Sequence, residues 1–132
     1  MIFIDSGFLI ALFIAKDRWH RKAVKLIDNI EKLPKKDKIL SNLIIEEIVT
    51  MIGSLIGAKE AVEVYNYIHD NYTIFAENKE LYDNSMGIFL KYDATLSLTD
   101  STNVEIMKKL GIHKIVSFDS DFDKVNGIVR LH

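Results

Sequence analysis

The opening stretch Met1-Ile-Phe-Ile-Asp5-Ser6-Gly7-Phe-Leu-Ile-Ala-Leu-Phe-Ile14 carries the pattern that decides the fold. Four mostly apolar residues stop at an acid, which reads as a short buried strand. The apolar run that restarts at Gly7 and continues to Ile14 reads as a helix packed on that strand. The alternation then repeats down the chain. An amphipathic helix is expected over Trp19–Ile30, with Ala23, Leu26, Ile27 and Ile30 on one face. A brief strand near Lys38–Leu40 leads into a helix over Asn42–Ile56, ended by Gly57, and Ala58–Asp70 forms the next helix. Tyr72–Phe75 reads as a strand, Asn78–Lys91 and Leu98–Leu110 as helices, and Lys114–Phe118 and Ile128–Leu131 as the last strands. Strands separated by helices make βαβ units, which build a mostly parallel sheet with helices on both faces. Open sheets of this kind bind ligands at the carboxyl ends of their strands, so the residues at those ends matter most.

The remaining composition narrows the chemistry. At 132 residues the chain suits one domain spanning 1–132, because two cores of half that size would each be marginal. Hydrophobic residues are 48% and charged residues 27%, which excludes a disordered chain, a collagen-like fibre and a coiled coil. The formal net charge is -2, so nucleic acid would have to be met by a local basic patch. With no cysteine, disulfides, zinc–thiolate sites and cysteine nucleophiles are excluded. The longest apolar run, Phe8–Ala15, is far below the roughly 20 residues that span a bilayer. No export signal is visible either, and a cytoplasmic location is expected.

Asp5 ends the first strand and Asp119 follows Ile115-Val-Ser-Phe118, so parallel strands would place both carboxylates on one sheet edge. Each also has a plain structural use, Asp5 as a helix N-cap and Asp119 in a turn. Asp100 lies in Ser97-Leu-Thr-Asp100, an S/T-x-x-D capping signature. Its helix carries Val104 and Met107 at i+4 and i+7, which aims Asp100 inward from the first turn. Glu46 and Glu47 project about 100° apart on their helix. Glu47 has apolar Leu43 and Met51 one turn away on either side, whereas Glu46 has Asn42 and Thr50. Glu47 is therefore expected at the edge of the buried stripe and Glu46 outward. Clustered carboxylates repel unless a cation or protons offset them, and an all-oxygen donor set suits Mg²⁺ or Mn²⁺.

These motifs resemble the PIN domain, a family of metal-dependent ribonucleases that includes many VapC-type toxins of toxin–antitoxin pairs. Ile2-Phe-Ile-Asp5-Ser6 is similar to its opening strand–Asp–Ser/Thr motif, and Ser41-Asn-Leu-Ile-Ile-Glu-Glu47-Ile-Val-Thr50 to its helix-borne Glu motif, with Glu47 the matching residue. Ser97-Leu-Thr-Asp100 with Ile106-Met-Lys-Lys-Leu-Gly-Ile112 resembles the third motif. Ser117-Phe-Asp119-Ser-Asp121-Phe122 resembles the last, where Asp119 matches the metal-site acid and Asp121 an auxiliary one. The resemblance implies a three-layer α/β/α fold with about five strands ordered 3-2-1-4-5. It also implies an endoribonuclease in which Asp5, Glu47, Asp100 and Asp119, with Asp121 beside them, hold one or two Mg²⁺ or Mn²⁺ ions. Ser6, Thr99 and Ser117 are candidates to orient those carboxylates. A homodimer and a small antitoxin plugging the acidic groove are the implied partners, with Val62, Val64, Tyr65, Tyr67 and Ile68 marking a candidate dimer face.

The acids would repel RNA, so its backbone must be met elsewhere. Lys16, Arg18, Arg21, Lys22 and Lys25 cluster around Trp19, whose ring is a candidate to stack on a base. The competing explanation is the solvated face of an amphipathic helix. Two rival functions differ in kind. A receiver-type phosphoacceptor also places acids around Mg²⁺, but it needs adjacent acids after its first strand and a Lys at a later strand end. Here Ser6 follows Asp5, and Lys114 stands at the start of its strand, away from the carboxyl end. A PIN-like module that binds RNA or protein without cutting is the other. Nucleotide-binding folds are excluded by the lack of a G-x-x-x-x-G-K-[ST] or G-x-G-x-x-G loop.

Overall fold

The short apolar runs do form the sheet. In the computed structural model, which describes all of residues 1–132, five parallel strands lie in the order β3-β2-β1-β4-β5. They are β1 (Ile2–Ile4), β2 (Lys38–Ser41), β3 (Thr73–Phe75), β4 (Lys114–Val116) and β5 (Val129–Leu131). β1 is central, and Phe3 and Ile4 are wholly buried, as expected for a parallel strand covered on both faces. Six helices complete the three-layer α/β/α architecture: α1 (Ser6–Phe13), α2 (His20–Glu31), α3 (Asn42–Leu55), α4 (Ala58–Asn71), α5 (Lys79–Lys91) and α6 (Leu98–Leu110). They pack chiefly as the pairs α1–α2, α3–α4 and α5–α6. No helix is long and apolar enough to cross a membrane.

Local chemistry sets the helix ends that matter for the site. Asp5 caps α1, its Oδ1 accepting from the Ser6 N–H at 2.9 Å. Ser41 caps α3 through the Ile44 N–H, and Ser97 caps α6 through the Asp100 N–H at 3.0 Å. Gly111 ends α6 in the left-handed region at φ 69°, where a Cβ would be strained. At the carboxyl ends of β1 and β2 the chain is therefore turned from sheet to helix by Asp5 and Ser41.

Two expectations are corrected. β4 stops at Val116 rather than Phe118: Ser117 makes a last backbone bond, its N–H donating to the Leu131 carbonyl at 3.1 Å, while its hydroxyl turns onto Asp5. The Asp119-Ser-Asp121 turn is the start of a 3₁₀ segment over Ser120–Lys124, capped by Asp119. On α4, Val64 and Ile68 are core residues, while Val62 and Tyr65 are exposed. With Tyr67 partly buried against the core, core packing thus accounts for three of the five apolar residues read there.

Candidate metal-binding active site

Register places three polar residues in a row at the carboxyl edge. β1 and β2 pair as Phe3↔Ile39, and β1 and β4 as Ile4↔Val116, so Ser41 and Ser117 flank Asp5 on the two neighbouring strands. The Ser117 hydroxyl donates to Asp5 Oδ2 at 2.6 Å, and the Asp119 N–H donates to Ser117 Oγ at 3.0 Å. Asp5 is thus bonded on both oxygens and linked through Ser117 to the backbone of Asp119. On the other side, Ser41 Oγ donates to Asn103 Oδ1 at 3.1 Å, pinning α6 to the end of β2. Asn103 lies three residues beyond Asp100, on the inward face that already carries Val104 and Met107.

The electrostatics show that the acids converge. Burial is the main cause of the raised Asp5 pKa, about 6, and the negative charges of Glu47 and Asp119 add to it against the bonds from Ser117 and Ser6. Asp100 is pushed up to about 7, first by burial, then by Asp5 and Asp119, with Glu47 adding and the Ser97 hydroxyl opposing. Four carboxylates, from β1, α3, α6 and the β4 exit, therefore act on one another. None of the four is in an ion pair, the chain's three being Lys79–Asp83, Lys124–Asp121 and Arg130–Asp123. Arg130 nevertheless feels the charge of Asp119 and donates from Nη1 to the Ser117 carbonyl at 3.2 Å. Asp121 stands apart: it pairs with Lys124 at 3.4 Å, and its N–H donates to Asp119 Oδ1 at 2.9 Å.

The expected embedding of Glu47 is not what the fold produces. Glu46, Glu47 and Met51 are all exposed, because α3 buries the stripe Ile44, Ile45, Ile48 and Ile52 and leaves its edges to solvent. Both glutamates line a groove with Ser6, Ile10, Thr50 and Met51. Of the two, only Glu47 acts on Asp5 and Asp100; the charge of Glu46 acts on Tyr82 of α5. Ser6 contributes its backbone N–H, and Thr99 makes no side-chain hydrogen bond, the capping role falling to Ser97. Ser41 and Asn103 were not singled out in the sequence. The signal was there in part, since Asn103 falls at i+3 from Asp100.

The donor set fits a hard divalent ion: it is all oxygen, it is mutually repulsive, and none of its acids is in an ion pair. No three acidic or imidazole groups are close enough to enclose a bare ion.

Known proteins share this arrangement of strands and helices. The chain is similar to the structure of Mycobacterium tuberculosis VapC20, a sarcin–ricin loop cleaving toxin, at 25% identity and TM-score 0.80, covering 93% of both chains. It also superposes on a toxin–antitoxin complex from Klebsiella pneumoniae at 17% identity and TM-score 0.73, covering 98% of this chain and 96% of that one. VapBC2 from Rickettsia felis, bound to a DNA fragment from its promoter, matches at 10% identity and TM-score 0.68, covering 99% and 98%. No curated protein matches by sequence. The model of the PIN domain matches residues 2–128, nearly the whole chain, and with the sheet order and strand-end acids already described, this protein belongs to the PIN domain family.

Proposed function

We propose that the protein is a metal-dependent endoribonuclease hydrolysing RNA phosphodiester bonds, the toxin component of a toxin–antitoxin pair acting in the cytoplasm. The observation that carries this reading is the cluster of mutually repelling acids Asp5, Glu47, Asp100 and Asp119, none of them in an ion pair, at the strand ends of a PIN fold. The similarity to VapC20 and to toxin–antitoxin complexes supports the toxin assignment. Residues 1–132 act as one nuclease domain, with a homodimer and a small antitoxin as its protein partners.

Asp5, Glu47, Asp100 and Asp119 would hold Mg²⁺ or Mn²⁺, which supplies positive charge and Lewis acidity at the phosphate when bound. The chain's own part is orientation. Ser6 and Ser117 each fix one oxygen of Asp5, and Ser117 also holds the Asp119 backbone, so two carboxylates are aimed before any ion arrives. Asp121 supports this arrangement by donating its N–H to Asp119. Ser117→Ala is expected to lower activity about 10–100-fold, the usual cost of losing an outer hydrogen-bond partner of a metal ligand. A cleavage assay at saturating Mg²⁺ checks it, and activity within twofold of the parent would show that Ser117 orients nothing.

The reading itself is tested by incubating the purified protein with mixed cellular RNA in Mg²⁺, in Mn²⁺ and in EDTA. Cutting is expected with either metal and none with the chelator. Cutting that persists in EDTA would remove the metal from the proposal. A folded protein that binds Mg²⁺ and cuts no RNA would favour the non-catalytic PIN-like module.

A further inference from the structure

The basic cluster at the start of α2 is attached to the acid site through one aromatic stack. The Trp19 ring lies nearly parallel to Phe118, at 5.3 Å between centroids and 16° between planes. Phe118 sits between Ser117, which is bonded to Asp5, and Asp119, and it also leans on Phe8 of α1 at 6.4 Å. Two cations are held against the same Trp19 ring: the Arg18 guanidinium at 4.6 Å and the Lys22 ammonium at 5.0 Å from its centroid. Both residues are exposed, and neither belongs to any ion pair of the chain. The neighbouring acid, Asp17, uses its Oδ1 to accept from the Trp19 N–H at 2.8 Å. Lys16 and Arg21 are exposed as well but touch no ring.

We infer that Arg18 and Lys22, braced on the Trp19–Phe118 stack, form a phosphate clamp for the RNA strand beside the acid cluster. This rests on the nuclease reading above. The physical case is preorganisation. A long cationic side chain ordinarily loses rotamer freedom when it grips a ligand, and a cation already resting on an aromatic face has lost much of it beforehand. A guanidinium with no carboxylate partner keeps its donor fork for a phosphate. The acid cluster repels the backbone of an RNA strand, so the strand needs compensating charge, and the Trp19–Phe118 stack ties both cations to the residue that precedes Asp119. Trp19 then serves as a support: Phe118 covers one face of its ring, and the two cations rest against it. That differs from the base-stacking role its position in the sequence suggested.

Trp19 is the sole tryptophan, so its emission reports on the clamp directly. The experiment titrates Asp100→Asn protein in Mg²⁺ with a short single-stranded RNA at several salt concentrations, following Trp19 emission and the anisotropy of labelled RNA. A saturable change in Trp19 emission is expected. Arg18→Gln and Lys22→Gln should each weaken binding about tenfold, the order of a lost charge-assisted hydrogen bond. Each should also reduce the salt slope by about 0.7, the value for one phosphate contact on a single strand. Lys79→Gln, an exposed cation paired with Asp83, should leave the slope unchanged. Phe118→Leu keeps both charges but removes the brace, and it should weaken binding while Trp19 still reports. An unchanged slope in the Arg18→Gln/Lys22→Gln double variant, or silent Trp19 emission on RNA binding, would overturn the clamp. Cleavage by that double variant at the parental rate would overturn the clamp and leave the nuclease reading standing. RNA binding with the expected slopes by a parent protein that never cuts would support the clamp and sink the nuclease reading.

Discussion

Asp100→Asn is expected to lower RNA cleavage by at least about 100-fold while raising the thermal midpoint of the metal-free protein. The loss follows from removing a charge that would hold the ion where negative charge develops, an effect as large as losing one well-placed electrostatic contact. The gain in stability follows from the same geometry. Asp100 is partly buried beside Asp5, Asp119 and Glu47, with only the Ser97 hydroxyl opposing them, so its ionised form is held at a cost. Its partial exposure discounts that cost, leaving relief on the order of 1 kcal/mol, or roughly 3–5 °C for a chain of this size. The helix cap survives because the Asp100 N–H still donates to Ser97 Oγ. Cleavage assays and calorimetry in EDTA check the two halves. An active variant would remove Asp100 from the site, and an inactive variant that melts lower would show that the acid was a structural support.

The metal-free protein is expected to lose stability as pH rises from about 4 to about 7.5, and added Mg²⁺ should return it most fully at the upper end. Asp5 has a folded pKa of about 6 against an ordinary value of 3.8, and Asp100 one of about 7. A folded pKa above the unfolded one means the native state binds protons more tightly. Its contribution is present below about pH 4 and is lost as pH rises through 6 and 7. For buried Asp5 this is roughly 3 kcal/mol, and exposed-side screening makes the Asp100 share smaller. Asp123 opposes this below the window, since its hydrogen bond from Arg130 lowers its pKa and favours the fold only above the ordinary carboxylate range. Mg²⁺ must displace those same protons, so at about pH 8 it should add about 2.7 kcal/mol at 100 times its dissociation constant, and almost nothing at pH 5. Urea unfolding across this range, with and without Mg²⁺, decides the matter. Stability that climbs with pH through the window would contradict the acid cluster.

What the residues reveal in order and what they leave out divide along one line. The strands were legible because each is a short apolar run bounded by polar residues, and α6 was legible from Ser97-Leu-Thr-Asp100 at one end and Gly111 at the other. Asp5, Asp100 and Asp119 stood out because each ends a strand or opens a helix on its inward face. Glu47 was singled out by its neighbours Leu43 and Met51, and that argument misjudged its burial. Which edge of α3 meets solvent depends on how the helix is rotated against α1 and α4, and helical periodicity does not contain that rotation. The 3₁₀ segment at Ser120–Lys124 was hidden for a related reason, since one Asp119 carboxylate serves equally well in a turn.

By itself, then, the sequence determined the alternation of strands and helices and the placing of acids at their junctions, both local consequences of hydrophobic period and capping chemistry. Tertiary structure alone decided that Ser117 bonds Asp5 across 112 positions, that Ser41 reaches Asn103 across 62, and that Trp19 rests on Phe118. Those contacts depend on the register of parallel strands and the docking of α2 and α6, and register is set only when the crossovers close and every apolar face is buried at once.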